Sequence, residues 1–292
     1  WSMSLVARSY ALNALLVGSV VFALLQWRQT RHARWFLLSC LFIGLSMVHH
    51  GTTYLLLPAY GIYLLVVEWE RYRRGDDRRP WLRRAGGVAA LLLGYAPILF
   101  LVYRFVAGAP YYWGNPSTWR DFFDLLTGGP FHNQVLGYAG ETQWDRVLFG
   151  VGELSGQYTP AGIALGVLGL GVLWRTRPQE ATLVTLMLIG NFAFAMNYSL
   201  VGYLYFIPTY LLWGLFVAIG LGWIAGWVAR LGANHTVPAW RQTAVISSIA
   251  LILSVLGSLA WTRYAAIDQS GQTETRDEAL ALLRDAPQGA SL

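Results

Sequence analysis

Apolar residues fall along the chain in long runs separated by short polar breaks, roughly from Ser4 to Gln26, Ala85 to Val106, Pro160 to Leu173, Ala181 to Met196, Tyr203 to Val228 and Thr243 to Trp261. Such runs predict helices, because a backbone surrounded by about 30 Å of hydrocarbon must satisfy its own hydrogen bonds. The run from Trp35 to Val67 is too long for one crossing, since a single helix of that length would measure about 50 Å at 1.5 Å per residue. It divides into two short helices, about Trp35 to Val48 and Thr52 to Val67, that meet at His49-His50-Gly51-Thr52-Thr53.

The positive charges orient these elements. Arg28, Arg31 and Arg34 precede the long run, and Arg71, Arg73, Arg74, Arg78, Arg79, Arg83 and Arg84 follow it. By the positive-inside rule both ends face the cytoplasm, so the run is expected to go in and return as a hairpin with its tip near the outer face. Arg175, Arg177, Arg230 and Arg241 fall on the same side if the helices alternate, which puts fourteen of the 21 basic residues inside. The expectation is an all-α, polytopic membrane protein with about eight membrane helices, two of them forming the short hairpin, and an outward N-terminus. The His49-His50 tip, a loop over residues 107–159 and the C-terminal tail then face outward.

The long outer loop carries its own helical signals. Asn115 to Gly129 begins with a serine and a threonine suited to capping, has acids in its first turns and ends at glycine. Trp119, Phe122, Phe123 and Leu126 share one face, which predicts a short helix lying in the membrane interface. Val147 to Gln157 is a second amphipathic piece of the same kind. The tail changes composition, and Thr275-Arg276-Asp277-Glu278 reads as the capping-box start of a soluble-type helix.

Composition agrees with this reading. Of 292 residues, 55% are hydrophobic and 12% charged, with mean hydropathy +0.44, which excludes an ordinary soluble domain and a disordered chain. The single Cys40 excludes a disulfide-stapled module. A net charge of +6, carried by arginine without lysine, would suit nucleic acid if the arginines formed an exposed stripe. They punctuate apolar runs instead, so the expected partner is the lipid bilayer and no nucleic acid. Walker loops, dinucleotide fingerprints, metal-spaced Cys/His sets and nucleophile elbows are absent from the sequence. The start at Trp1 and the stop after Leu292 read as cut ends: residues 1–264 as a transmembrane domain without its first helices, and 265–292 as the start of an exterior domain.

The residues from Trp1-Ser2-Met3-Ser4 to Asn13-Ala14-Leu15, then Gly44-Leu45-Ser46-Met47-Val48-His49-His50 through Leu56-Leu57-Pro58, resemble the bacterial branch of a transmembrane protein O-mannosyltransferase family, in the polytopic GT-C glycosyltransferase superfamily. Trp113-Gly114-Asn115-Pro116-Ser117-Thr118-Trp119, Asn197-Tyr198 and Tyr205-Phe206-Ile207-Pro208-Thr209-Tyr210 match the same ordered pattern. Two positions depart from it: Arg8 stands where the opening motif carries an acid, and Val201-Gly202-Tyr203 lacks an acid common just before Tyr205. The resemblance implies transfer of a hexose, mannose among the candidates, from a polyprenyl-phosphate carrier to a protein or glycan hydroxyl. The reaction would lie on the outer face of a bacterial cytoplasmic membrane. It also implies a catalytic aspartate in the first outer loop, upstream of Trp1, serving as general base or as ligand to a divalent metal ion.

Within the chain, His49 and His50 at the helix break suit donation to a phosphate oxygen or proton transfer, the plainer alternative being a polar break satisfied by backbone. Arg8, and less so Arg104 and Arg263, suit a departing lipid phosphate, against the alternative of snorkelling to headgroups. Trp113, Asn115 and Tyr205 are the expected cleft-lining residues, with Tyr111, Tyr112, Trp119, Tyr198 and Tyr203 open to a sugar-stacking or an interfacial role. Asp121, Asp124, Glu141, Asp145 and Glu153 are outer-loop acids that either orient an acceptor or sit on a wet helix face. The rival functions are a lipid-carrier flippase or transporter, which also uses broken helices, and a non-catalytic membrane scaffold.

Overall fold

A computed structural model of the chain describes residues 9–75, 80–108, 116–137, 140–199, 202–233 and 243. The geometry below belongs to one compact unit, Ala7–Ile224; of a second, Trp1–Val6 with Ala225–Leu292, the described residues are 225–233 and 243. The elements are α1 (Ser9–Thr30), α2 (Ala33–His49), a 3-10 segment (Gly51–Leu56), α3 (Leu57–Arg74), α4 (Pro80–Tyr95), α5 (Ile98–Val106), α6 (Trp119–Leu126), a second 3-10 segment (Gly129–Gln134), α7 (Gln143–Thr176), α8 (Pro178–Asn197), α9 (Gly202–Tyr205) and α10 (Ile207–Ala233). Among the described residues the one extended pairing is an isolated bridge between Val135 and Tyr198. The expected all-α class is observed.

Among the described residues five helices are long and apolar enough to cross a membrane: Tyr10–Thr30, Gly51–Arg74, Gln143–Thr176, Pro178–Asn197 and Ile207–Trp227. A sixth is reached if Pro80–Tyr95 and Ile98–Val106, bent by 47° across Ala96-Pro97, count as one broken span. Their outer faces leave Leu65 72%, Leu93 68% and Leu99 65% exposed, which is stable only where the surroundings are themselves apolar. The chain is an integral membrane protein by this measure. Eight segments are not shown among the described residues: α2, at 17 residues, is shorter than a full crossing, and the run from Thr243 to Trp261 lies outside the described residues after Thr243 itself.

The two arms of the expected hairpin meet where the 3-10 segment Gly51–Leu56 turns back on α2, and little beyond it. Instead α2 lies against α1 and α4, while α3 lies against α8. Close backbone approach decides this. A Cβ added at Gly44 would lie 2.2 Å from Leu91 O, and one at Gly94 2.2 Å from Leu41 O, so α2 and α4 touch where neither carries a side chain. In hydrocarbon such contact replaces the hydrophobic effect as the force between helices. The same device joins α7 to α10, where a Cβ at Gly169 would collide with Phe216 O and one at Gly220 would lie 2.3 Å from Leu165 O.

One end of the unit is tied by charge. Arg28, at the end of α1, pairs with Glu180 at the start of α8 and with Glu70 of α3 at 3.3 Å, and Gln179 donates to Glu70 at 3.0 Å. Arg83 and Arg84 of α4 reach Glu68 at 2.6 and 3.2 Å, and Arg71 donates to Arg31 O at 3.3 Å. The ends of α1 and α3 and the starts of α2, α4 and α8 therefore meet at this arginine-rich end, and the chain returns there after residue 50.

α6 begins as expected, with Thr118 at its cap, and buries Phe122. Val147–Gln157 lies in the first of two helical stretches that make up α7, which the Thr142–Asp145 capping box starts at Gln143 and which continues up to Thr159. There the backbone turns non-helical (φ 62°, ψ 163°) just before Pro160, which lacks the N–H that a helix interior needs.

Candidate active site

The end opposite the arginines is built around the stop of α2. His50 is extended (φ −150°, ψ 126°), and its N–H bonds Ser46 O at 3.0 Å, closing the helix. Its ring starts the next segment: Nδ1 accepts from Thr52 N–H at 3.3 Å and lies 2.8 Å from Thr52 Oγ1. Because Nδ1 accepts, the neutral ring carries its proton on Nε2. Thr53 Oγ1 donates to Ser46 O at 3.0 Å and fixes the turn from the other side.

Aromatic rings close around this histidine. Tyr10, at the start of α1, stands 5.6 Å from the His50 ring and 5.7 Å from Tyr205, and His50 and Tyr205 are 5.8 Å apart. Tyr205 also contacts Tyr198 at 4.6 Å and Phe194 at 5.5 Å. The sequence candidates His50 and Tyr205, 155 positions apart, are thus brought together. His49 lies beside them, 6.5 Å from His50 between ring centres.

Two polar residues that the sequence reading passed over hold this end in place. Asn191 is buried in α8, and its amide donates to Tyr205 O and to Thr209 Oγ1, both at 2.8 Å. A lone amide inside the run Ala181 to Met196 was the available signal, since polar groups inside a membrane helix need partners. Arg146 is buried: it donates to Met196 O at 2.6 Å and pairs with Glu141 at 2.8 Å, with its guanidinium 4.6 Å from the centre of the Phe149 ring. It thereby caps the last turn of α8, a helix C-terminus that favours a cation.

The segment Gly129–Gln134 and the residues after it are tied to the same edge. Leu136 N–H donates to Asn197 O at 2.8 Å, Ser199 N–H to Gln134 O at 2.9 Å, and Ser199 Oγ to Gln134 Oε1 at 2.6 Å. The acids take ordinary roles first. Asp121 closes the α6 cap, where bonds from Thr118, then from the Ser117 hydroxyl at 2.9 Å, hold its carboxyl below the usual carboxylate range. Asp145 closes the α7 cap with Thr142 at 2.7–2.8 Å, and Glu153 accepts from Tyr210 Oη at 3.1 Å. Arg104 ends α5 and is half-buried.

Arg8, Trp113 and Asn115 lie outside the described residues, as do Tyr111, Tyr112 and Arg263. Among the described residues no three His, Cys, Asp or Glu side chains gather in a way that could hold a metal ion. What the site offers is a neutral imidazole among phenols, polar edges on apolar faces, with an anchored loop beside it.

No curated protein and no solved structure matches the chain. Residues 1–73, a quarter of its length, are similar to the family described as protein O-mannosyl-transferase TMEM260 N-terminal domain; they contribute Tyr10, His49 and His50 to this end of the unit, while Tyr205 and the outer loop lie beyond them.

Proposed function

We propose that the chain is the membrane part of a GT-C-type glycosyltransferase that moves a hexose from a polyprenyl-phosphate carrier to a protein or glycan hydroxyl on the outer face of a bacterial cytoplasmic membrane. In this reading the helix pair around His50 is the expected hairpin, and the membrane domain completes to about eight segments. The observation that carries it is the meeting of Tyr10, His50 and Tyr205 at the end opposite the arginines, two of the three from the stretch similar to an O-mannosyl-transferase domain.

The chemistry is a displacement. The acceptor oxygen attacks the anomeric carbon, and the bond from that carbon to the lipid phosphate breaks with its electron pair going to the phosphate. His50 donates its Nε2 proton in a hydrogen bond to a phosphate oxygen as charge develops there, aided by Arg8 and His49. Tyr205, with Trp113 and Asn115, lines the sugar cleft, where phenol and indole faces suit the apolar face of a hexose. An aspartate upstream of Trp1 holds the acceptor side.

The test is transfer of labelled hexose from polyprenyl phosphate in membranes carrying the full-length protein. Transfer is expected, and His50→Ala and Tyr205→Ala are expected to lower turnover with expression intact. An intact, folded protein that transfers from no such donor overturns the reading. Carrier movement between leaflets without transfer would make it a flippase.

A further inference from the structure

We infer, independently of the transferase reading, that the groove between α7 and α10 holds one anionic phospholipid, its phosphate on Arg175 and an acyl chain over Gly171. Glycine contacts set the two helices side by side: Trp213 Nε1 donates to Gly162 O at 3.4 Å, and Gly220 packs on Leu165 and Gly169, so α10 runs beside α7 in the same direction. Along that seam lies a groove of about 400 Å³, within the roughly 300–1,000 Å³ of ligand sites. Val167, Gly171 and Arg175 line it at successive turns of α7, with Thr176 at the same end as Arg175, and Trp223 of α10 forms the other wall. A Cβ added at Gly171 meets nothing within 4 Å, so the missing side chain leaves the groove open at its middle.

Polarity changes along the groove as it does along a lipid. Arg175 is in the last turn of α7, at the arginine-rich end where Glu180 of α8 meets Arg28. Val167 lies about 12 Å away along the helix, toward the middle of the bilayer. The arginines that tie this end together are engaged, Arg28, Arg83 and Arg84 with carboxylates and Arg71 with Arg31 O. Arg175 is not: among the described residues no carboxylate oxygen lies within 4 Å of it. The Thr176 hydroxyl is bonded to Val172 O at 2.8 Å, which leaves the guanidinium as the charged donor at the mouth. Its fork of N–H groups matches two oxygens of one phosphate, and basic pockets between membrane helices hold anionic headgroups in this way. A zwitterionic lipid brings its own cation to the same place, so charge selects the anionic one. The Trp223 indole, apolar in its body and polar at its N–H, suits the boundary between chain and headgroup.

The full-length protein, reconstituted in vesicles of equal parts phosphatidylcholine and phosphatidylglycerol and released in mild detergent, should retain phosphatidylglycerol preferentially when weighed by native mass spectrometry. Arg175→Gln should lower that retention about fivefold, the loss carried by one arginine near a charged lipid surface. Gly171→Leu keeps the arginine but fills the groove, and should lower retention as much, with a melting temperature near wild type. Arg177→Gln removes an equal charge outside the groove and should change retention less than about twofold, as exposed surface charges do. Equal losses in Arg175→Gln and Arg177→Gln would reduce the site to diffuse attraction by a basic rim and overturn it. Wild-type protein with no preference for phosphatidylglycerol over phosphatidylcholine overturns it as well. So does a Gly171→Leu variant that keeps its lipid, or one that changes only its oligomeric state, which would make the seam a contact between two copies of the chain.

Discussion

Gly44 and Gly94 are packed backbone to backbone: each would drive a Cβ to 2.2 Å from a carbonyl oxygen of the other's helix, Leu91 O and Leu41 O respectively. Backbone cannot rotate aside as a side chain can, so the helices must separate to admit a methyl group. Gly44→Ala and Gly94→Ala are each expected to destabilise by about 1–3 kcal/mol. Gly61→Ala, which meets nothing within 4 Å, is the matched control. Thermal unfolding in nanodiscs reads the difference, and equal melting of all three would show that α2 and α4 are not in this contact.

The arginine-rich end yields a second prediction. Glu180 is 6% exposed and its carboxylate is met by Arg28, which also holds Glu70. Arg28→Gln leaves a buried negative charge without its cation, at a cost of about 3–5 kcal/mol when both groups are buried, less here because Arg28 keeps some exposure. Adding Glu180→Gln should recover much of the loss. Urea or thermal unfolding of the two single variants and the double variant gives the coupling, and strict additivity would remove the clamp.

How much of this was legible in the sequence depends on the distance over which each signal acts. The α6 start was legible because Ser117, Thr118 and Asp121 bond within four residues of one another. The stop at His50 was legible for the same reason, being followed at once by Gly51. The helix before Thr159 is legible as the amphipathic piece Val147 to Gln157, but its start at Gln143 is not, because the polar Gln143, Asp145 and Arg146 carry no apolar pattern. The bend at Ala96-Pro97 falls inside the single apolar run Ala85 to Val106, where Pro97 is its local signal. The meeting of Tyr10, His50 and Tyr205 was not legible at all, since ring contacts between α1, the α2 stop and α9 have no local spacing to betray them.

The cap on α6 makes a pH prediction. Asp121 is held below its ordinary range by hydrogen bonds to its charged form. A depressed carboxylate stabilises its cap above the unfolded value, about pH 4, and loses that contribution as pH falls through the folded value below it. Emission from Trp119 on the same helix should therefore hold steady from neutral pH to about pH 4 and shift at lower pH, in a transition that Asp121→Asn removes. A transition unchanged in Asp121→Asn would assign it to another group.

Asn191 joins fold and site. Its amide alone serves both Tyr205 O, at the end of α9, and Thr209 Oγ1, in the first turn of α10, so it fixes where the Tyr205 ring stands against His50. Asn191→Leu keeps the volume but strips a donor from two buried acceptors. A loss of about 1–3 kcal/mol is expected for groups left unpaired in this way. Because Tyr205 loses its anchor and not its chemistry, transfer should weaken chiefly through a higher KM for the donor, with kcat changed less. Asn191→Gln, too long for the gap, should not rescue, whereas Asn191→Asp should restore the bond to the Thr209 hydroxyl but not the one to the Tyr205 carbonyl. Steady-state kinetics of the three variants, read beside their melting temperatures, distinguish positioning from bulk stability: a fall in melting temperature with unaltered KM would confine Asn191 to the fold.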